Sequence, residues 1–217
     1  MNLFLSSAMA ELIGIFIGDG SLNVRKEKHS YEFKFTGNIH DEIPYFQNHV
    51  SPIASSLLNR SINVKVLDGG RSIGLYFCSK DFAMFLGSLG FRPGPKSGNV
   101  TMPKAIIADR KLSIACMRGI FDTDGCFTLK RNGTYPVITF GMKSRCLLEQ
   151  MQCELHSLGI GNCLCANIFT FDQRTNKTYV KSMLSINGKE NTDKWFKLIG
   201  TNNPKINGKY IKYKKGV

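Results

Sequence analysis

The sequence predicts an α+β protein made of two tandem αββαββα subdomains with antiparallel sheets, related by pseudo-twofold symmetry. Three observations predict it. Two apolar helical stretches, Leu-Ile-Gly-Ile-Phe-Ile-Gly-Asp-Gly at 12–20 and Met-Arg-Gly-Ile-Phe-Asp-Thr-Asp-Gly at 117–125, both end in Asp-Gly, close to half the chain apart. The same alternation of strand and helix patterns follows each one. Local sequence repeats too: Ser79-Lys80-Asp81-Phe82, Leu89-Gly90-Phe91 and Pro95-Lys96 echo Gly188-Lys189-Glu190-Asn191, Ile199-Gly200-Thr201 and Pro204-Lys205. Half a chain is too long for a solenoid unit and fits two fused copies of one small domain. The subdomains are drawn at residues 1–97 and 111–217, with a connector at 98–110 and a basic tail closing the second.

The elements follow in order. Residues 8–18 read as a helix, with Gly20 as a left-handed stop. Leu22 and Val24, then Tyr31, Phe33 and Phe35, alternate with polar residues and predict a hairpin over 21–36. A helix over 41–58 carries the stripe Ile43, Phe46, Val50, Ile53, Leu57 and Leu58, with a kink or break at Pro52. A second hairpin places Ile62, Val64 and Val66 inward, turns at Asp68-Gly69-Gly70 and returns through Ile73, Leu75 and Phe77. Ser79 caps a helix over 80–88 that Gly90 stops. Prolines and glycines make 91–110 a connector. The order then repeats: a helix over 111–122, a hairpin turning at Asn132-Gly133, a helix over 145–158, strands near 162–171 and 178–186, and a helix near 191–199.

Lys and Arg total 29 against 16 Asp and Glu, a formal net charge of +13. Such an excess favours a polyanionic partner, nucleic acid first. No window approaches the roughly 18–20 apolar residues of a membrane span. The start, Met-Asn-Leu-Phe-Leu-Ser-Ser-Ala, lacks a basic leader region. The expectation is therefore an intracellular protein, not secreted and without a membrane partner. Seven cysteines without a C-x-x-C pair read as buried free thiols in a reducing compartment rather than a zinc site.

The paired stretches carry the chemistry. Gly14 and Gly18, like Gly119 and Thr123, are four apart and share a helix face. Glycine inside a helix costs about 1 kcal/mol against alanine, so its use there implies a close helix–helix contact. If the two helices pack side by side in one direction, Asp19 and Asp124 meet at one end. Carboxylates at helix C-termini face the negative end of the macrodipole and repel each other when close. A divalent cation held by oxygen removes both penalties, and oxygen ligands select Mg²⁺, Mn²⁺ or Ca²⁺. Next to a basic surface, such a metal suits phosphoryl transfer.

These residues resemble the signature of the LAGLIDADG homing endonucleases, in the single-chain two-motif form. The first stretch reads Leu-x-Gly-x-x-x-Gly-Asp-Gly, the second Met-x-Gly-x-x-Asp-x-Asp-Gly, and the αββαββα order matches in both halves. The resemblance implies an enzyme that makes double-strand breaks at a long recognition site by metal-dependent phosphodiester hydrolysis. It is closest to members carried by archaeal or organellar introns, placing the protein in a prokaryotic cytoplasm or an organelle. It implies a monomer whose two sheets form a saddle on double-stranded DNA. Mg²⁺ would be the cofactor, Mn²⁺ a substitute, and Ca²⁺ would bind without supporting cleavage. Asp19 and Asp124 match the metal-binding positions, with Gly18 and Thr123 beside them. Asp122 matches a structural position. The family also places a basic or amide residue near each metal, for which Lys130, Lys143 and Asn38 are the candidates.

Outward strand residues Asn23, Arg25, Lys34, Asn63, Lys65, Thr128, Lys130, Tyr179 and Lys181 are the candidates for facing bases; Arg25 and the Asn side chains suit guanine and adenine edges. Lys80, Lys96, Lys189 and the lysines of 205–217 suit backbone phosphates. The alternatives are an RNA maturase acting on its host intron, whose RNA would then be a partner, and a non-catalytic DNA-binding regulator. Retention of both acidic positions favours cleavage. The stretch 90–97 imitates a phosphate-binding loop, but Pro95 replaces a glycine and offers no N–H, so nucleotide binding is not expected.

Overall fold

A computed structural model of the protein describes residues 3–25, 27, 29–96, 98–173 and 176–216. Two compact units emerge. The first comprises Met1–Lys96, Pro103–Thr123 and Thr201–Val217; the second comprises Ser97–Met102 and Asp124–Gly200. Each holds one four-stranded antiparallel sheet. The strand orders are β1-β2-β4-β3 and β5-β6-β8-β7, the same topology twice.

In the first unit Ser6 accepts a hydrogen bond from Met9 N and starts α1 (Ser7–Asp19). Gly20 is extended, at φ −84° and ψ 154°, and opens β1 (Gly20–Arg25); it is not the left-handed stop the sequence predicts. A glycine is needed there for space, because a Cβ would press on the Phe16 backbone and ring. β2 (Ser30–Asn38) returns from β1, and β3 (Val64–Leu67) and β4 (Ser72–Cys78) complete the sheet. Phe33 and Phe35 point to the core with Leu75 and Phe77 opposite, and α4 (Lys80–Ser88) brings Phe82 to within 4.7 Å of the Phe33 ring centre. Ser79 caps α4 through Phe82 N, and Gly90 follows it at φ +95°. Val66 is 59% exposed, so the inward reading of β3 stops short of it on this edge strand.

The predicted helix 41–58 is three pieces: α2 (Ile43–Tyr45), a π turn over Phe46–Val50, and α3 (Ser51–Leu57). Pro52 has no N–H to continue the α ladder, and Ser51 N reaches back to Phe46 O instead. The extra residue rotates the buried face. Tyr45 and Ala54 are buried, while Ile43, Ile53 and Leu57 are only half-buried.

The connector contains α5 (Lys104–Ile107), and α6 (Arg110–Asp124) follows. In the second unit come β5 (Gly125–Lys130), β6 (Tyr135–Met142), α7 (Arg145–Ser157), β7 (Cys163–Asp172), β8 (Lys177–Asn187) and α8 (Lys189–Leu198). Its core is Phe127 against Phe196 and Phe140 against Trp195. The tail is a helix, α9 (Pro204–Lys215), capped by Asn203 through Lys205 N; it groups with the first unit. Only Cys116 of the seven cysteines is buried, against the expectation of buried thiols.

Candidate active site and nucleic-acid interface

Within the first unit α1 meets α6 at the predicted glycines. A Cβ on Gly14 would overlap the Cys116 carbonyl oxygen and lie 3.1 Å from Gly119 Cα. One on Gly119 would overlap Glu11 O and lie 2.8 Å from Ile15 N. The backbones touch, and only glycine fits at either position.

A buried polar cluster ties this crossing to its surroundings. Glu11, on α1, receives Arg118 Nε at 3.1 Å and Nη2 at 2.9 Å, and Asn202 Nδ2 at 2.6 Å, and lies 2.6 Å from His49 Nε2. Asp122, on α6, accepts from the Thr201 hydroxyl and from Asn202 N at 3.0 Å, and Asn203 Nδ2 donates to its carbonyl at 2.9 Å. Burial pushes the Asp122 carboxyl up to about 6, against the lowering effect of Thr201 and Asn202. Tyr45 lies against it with its phenol raised, by burial first and then by the charges of Asp122, Glu11, Asp19 and Glu42. Asp122 therefore anchors the start of the last helical segment on α6.

Asp19 is the last residue of α1 and half-buried. The preceding carbonyls are gathered by Lys96, whose ammonium donates to Phe16 O, to Ile17 O at 2.6 Å and to Gly18 O at 2.8 Å, and stands 5.0 Å from the Phe16 ring centre. A cation there offsets the negative end of the helix. Lys96 thus belongs beside the Asp19 position and not among surface lysines reserved for phosphates. The repeat carried a hint, Pro95-Lys96 matching Pro204-Lys205, but Lys205 does something else: it pairs with Asp41 at 2.8 Å. Asn38 ends β2 near the strand end that pairs with Gly20. Its side-chain oxygen accepts His40 N at 2.8 Å, so its amide also shapes a turn.

Asp124, the last residue of α6, is exposed and opens the second unit. The Thr123 hydroxyl donates back to Gly119 O at 3.0 Å or Ile120 O at 3.1 Å. Lys130 lies at the far end of β5, six strand residues or about 20 Å beyond Asp124, too far for its side chain to reach the same cation. Lys143 is at the nearer end, just after β6, whose Phe140 pairs with Gly125; its ammonium sits 5.2 Å from the Tyr179 ring centre. The structure thus does not bring Lys130 to the aspartate, and it places Lys143 against an aromatic face.

Both sheets turn one face to their helices and leave the other open. On the first, Phe33, Phe35 and Leu22 are inward, so Asn23, Arg25, Lys34 and Lys65 share the open face. Arg25 pairs with Glu32 at 2.9 Å, and Lys34 pairs with Asp68. Asn63 precedes β3 and accepts from the Ser61 hydroxyl at 3.2 Å; it is not a strand residue. On the second, buried Phe127 and buried Leu184 and Ile186 leave Thr128, Lys130, Tyr179 and Lys181 on the open side. Lys80 and Lys189 are exposed at the starts of α4 and α8.

The donors fit a hard divalent cation. Among the described residues no three His, Cys, Asp or Glu side chains converge as a metal cage. Each aspartate would therefore hold its cation with carbonyl, water and phosphate oxygens, the way Mg²⁺ is commonly bound next to a phosphate substrate.

Comparisons with known proteins agree with this picture. A LAGLIDADG-like domain matches residues 111–200. An uncharacterised protein of Methanocaldococcus jannaschii is 26% identical over 164 residues, 74% of this chain and 57% of that protein, so the chain spans little more than half the length of this relative. The crystal structure of the homing endonuclease I-DmoI with DNA and Ca has a TM-score of 0.66 at 20% identity, covering 91% of this chain and 93% of that one. I-DmoI with DNA and Mn gives 0.63 at 21%, over 89% and 96%. Full-length DUF199/WhiA from Thermatoga maritima gives 0.58 at 14%, over 99% of this chain and 62% of that one. At these identities the structural likenesses concern the fold. Residues 111–200 thus match a LAGLIDADG-like domain, and the two-sheet fold along the chain is similar to that of I-DmoI.

Proposed function

We propose that the chain is a site-specific DNA endonuclease that breaks both strands of double-stranded DNA with Mg²⁺ or Mn²⁺. The observation that carries this reading is the pair of motif helices. They touch at Gly14 and Gly119, and each ends in an aspartate immediately before the first strand of a sheet. I-DmoI, similar in fold, has been crystallised with DNA and with Ca, Mn or Mg, which supports the same partners here. The family resemblance extends the reading to an intron-borne monomer acting inside the cell.

In this reading Asp19 and Asp124 would each help to hold one divalent cation beside a scissile phosphate. A bound cation supplies an activated water and stabilises charge on the leaving oxygen. Lys96 offsets the negative end of α1 beside Asp19 by binding the last carbonyls of the helix. The open sheet faces supply phosphate and base contacts. A protein that only bound DNA would bind better with the two carboxylates neutralised, because each repels the backbone.

The test is cleavage of a randomised duplex library with Mg²⁺, followed by sequencing of the cut ends. Asp19→Asn and Asp124→Asn should each lower double-strand cutting by about a thousandfold or more, as several kcal/mol of charge stabilisation is lost. Binding to the selected site should persist. Undiminished cutting by both variants would remove the two aspartates from the mechanism.

A further inference from the structure

Resting on the DNA reading above, we propose that Glu32 is a positioning residue that aims Arg25 at a guanine in the major groove, making this pair a specificity determinant of the first sheet.

Arg25 ends β1, and Glu32 lies on β2 opposite Asn23, so the two side chains meet diagonally on the open face. Arg25 Nε donates to Glu32 Oε1 at 2.9 Å. The arginine side chain is 52% exposed and the glutamate 12%, so the carboxylate is the fixed partner and the guanidinium reaches outward from it. Glu32 is hemmed in from each neighbouring strand: Asn23 opposite it on β1, Cys78 opposite it on β4, and Tyr76 diagonally on β4. The Tyr76 phenol is raised by burial, then by the charges of Glu32 and Cys78 and a hydrogen bond with Glu32, which agrees with that packing.

Binding Nε to a carboxylate restrains the plane of the guanidinium and leaves its Nη groups to meet a ligand. That planar fork matches the O6 and N7 acceptors of guanine. A phosphate contact requires no such support, and a carboxylate beside the arginine opposes it by repelling the backbone. The geometry therefore favours a base over a phosphate. Lys34, on the same face, shows the contrast. Its ammonium is tied to Asp68, whose second oxygen accepts the Ser72 hydroxyl at 2.5 Å, a local brace for the turn between β3 and β4. An ammonium also has no fixed fork with which to choose a base edge.

The experiment is a binding selection from randomised duplex DNA in Ca²⁺, run for the wild-type chain, Arg25→Ala, Glu32→Ala and Glu32→Gln, with melting temperatures measured alongside. The wild type should enrich a site with guanine at one position that Arg25→Ala relaxes. Glu32→Ala should relax the same position about tenfold while leaving preferences elsewhere intact, and Glu32→Gln should fall between the two. Folding damage would instead lower the melting temperature and weaken every position together. The proposal is overturned if Glu32→Ala selects the wild-type consensus unchanged, or if the two residues affect different positions. A wild-type chain that enriches no sequence at all overturns the DNA reading itself, and this proposal with it.

Discussion

A carboxylate only 4% exposed survives in a core only with partners, and Glu11 has three. Burial by itself would raise its pKa; the bonds from His49, Arg118 and Asn202 outweigh that, and the value falls below the ordinary 4.5. Just below pH 4.5, then, the unfolded chain binds more protons than the folded one. The stabilisation from Glu11 is complete above about pH 4.5 and is lost as pH falls through the lowered folded value. Glu11→Gln should reduce the free energy of unfolding in urea by about 2 kcal/mol near neutral pH, since hydrogen bonds to a charged group are removed and Arg118 loses its counter-charge. The gap between wild type and variant should narrow as pH is lowered from about 5 to about 3. A gap that stays constant over that range would mean the charge on Glu11 is not what its partners stabilise.

At the scale of elements the glycine crossing of α1 and α6 sets the site. Gly14→Ala or Gly119→Ala places a methyl against backbone atoms of the other helix, which cannot swing aside as a flexible side chain can. Each should destabilise by about 3 kcal/mol in chemical denaturation. Gly87→Ala, inside α4 with nothing within 4 Å of the added carbon, should stabilise by up to about 1 kcal/mol. Equal effects at all three positions would refute close packing at the crossing. Much of this was legible in the sequence. Alternation and capping residues mark the strands and helices, and small residues four apart on a helix face imply the close contact found at Gly14 and Gly119. Other features depend on space rather than pattern. Gly20 is a glycine because Phe16 crowds it, not because of its φ. The π turn before Pro52 shifted the buried face by one residue, bringing Tyr45 inward. The lysine-rich stretch reads from its composition only as a basic tail, although Asn203-Pro204 is a helix start. At the site, the aspartates could be read from Asp-Gly closing an apolar helix. Lys96 could not, because it contacts α1 across a separation of 80 residues.

For the molecule as a whole the question is how much of the +13 net charge can meet a polyanion. Several cations are already committed. Arg25, Lys34, Arg118, Arg145, Lys194 and Lys205 pair with carboxylates, and Lys96 is held by helix carbonyls. Cations paired in this way release few counterions when DNA binds. Among the described residues, further lysines lie on the open sheet faces, at Lys65, Lys130 and Lys181, at the helix starts Lys80 and Lys189, and along α9, where Lys209, Lys212 and Lys215 are exposed. Roughly seven phosphate contacts drawn from these give a slope of about −6 in log affinity against log salt, a loss of about 10³ to 10⁴ between 50 and 200 mM. Replacing Lys209 and Lys212 together by Ala should lower the magnitude of that slope by about 2 if α9 lies on the backbone, with base preferences unchanged, because phosphate contacts add affinity evenly across sequences. Fluorescence anisotropy titrations over a salt series measure both. A flat plot for the wild type would show that the excess charge serves some other end, and an unaltered slope in the double variant would remove α9 from the interface.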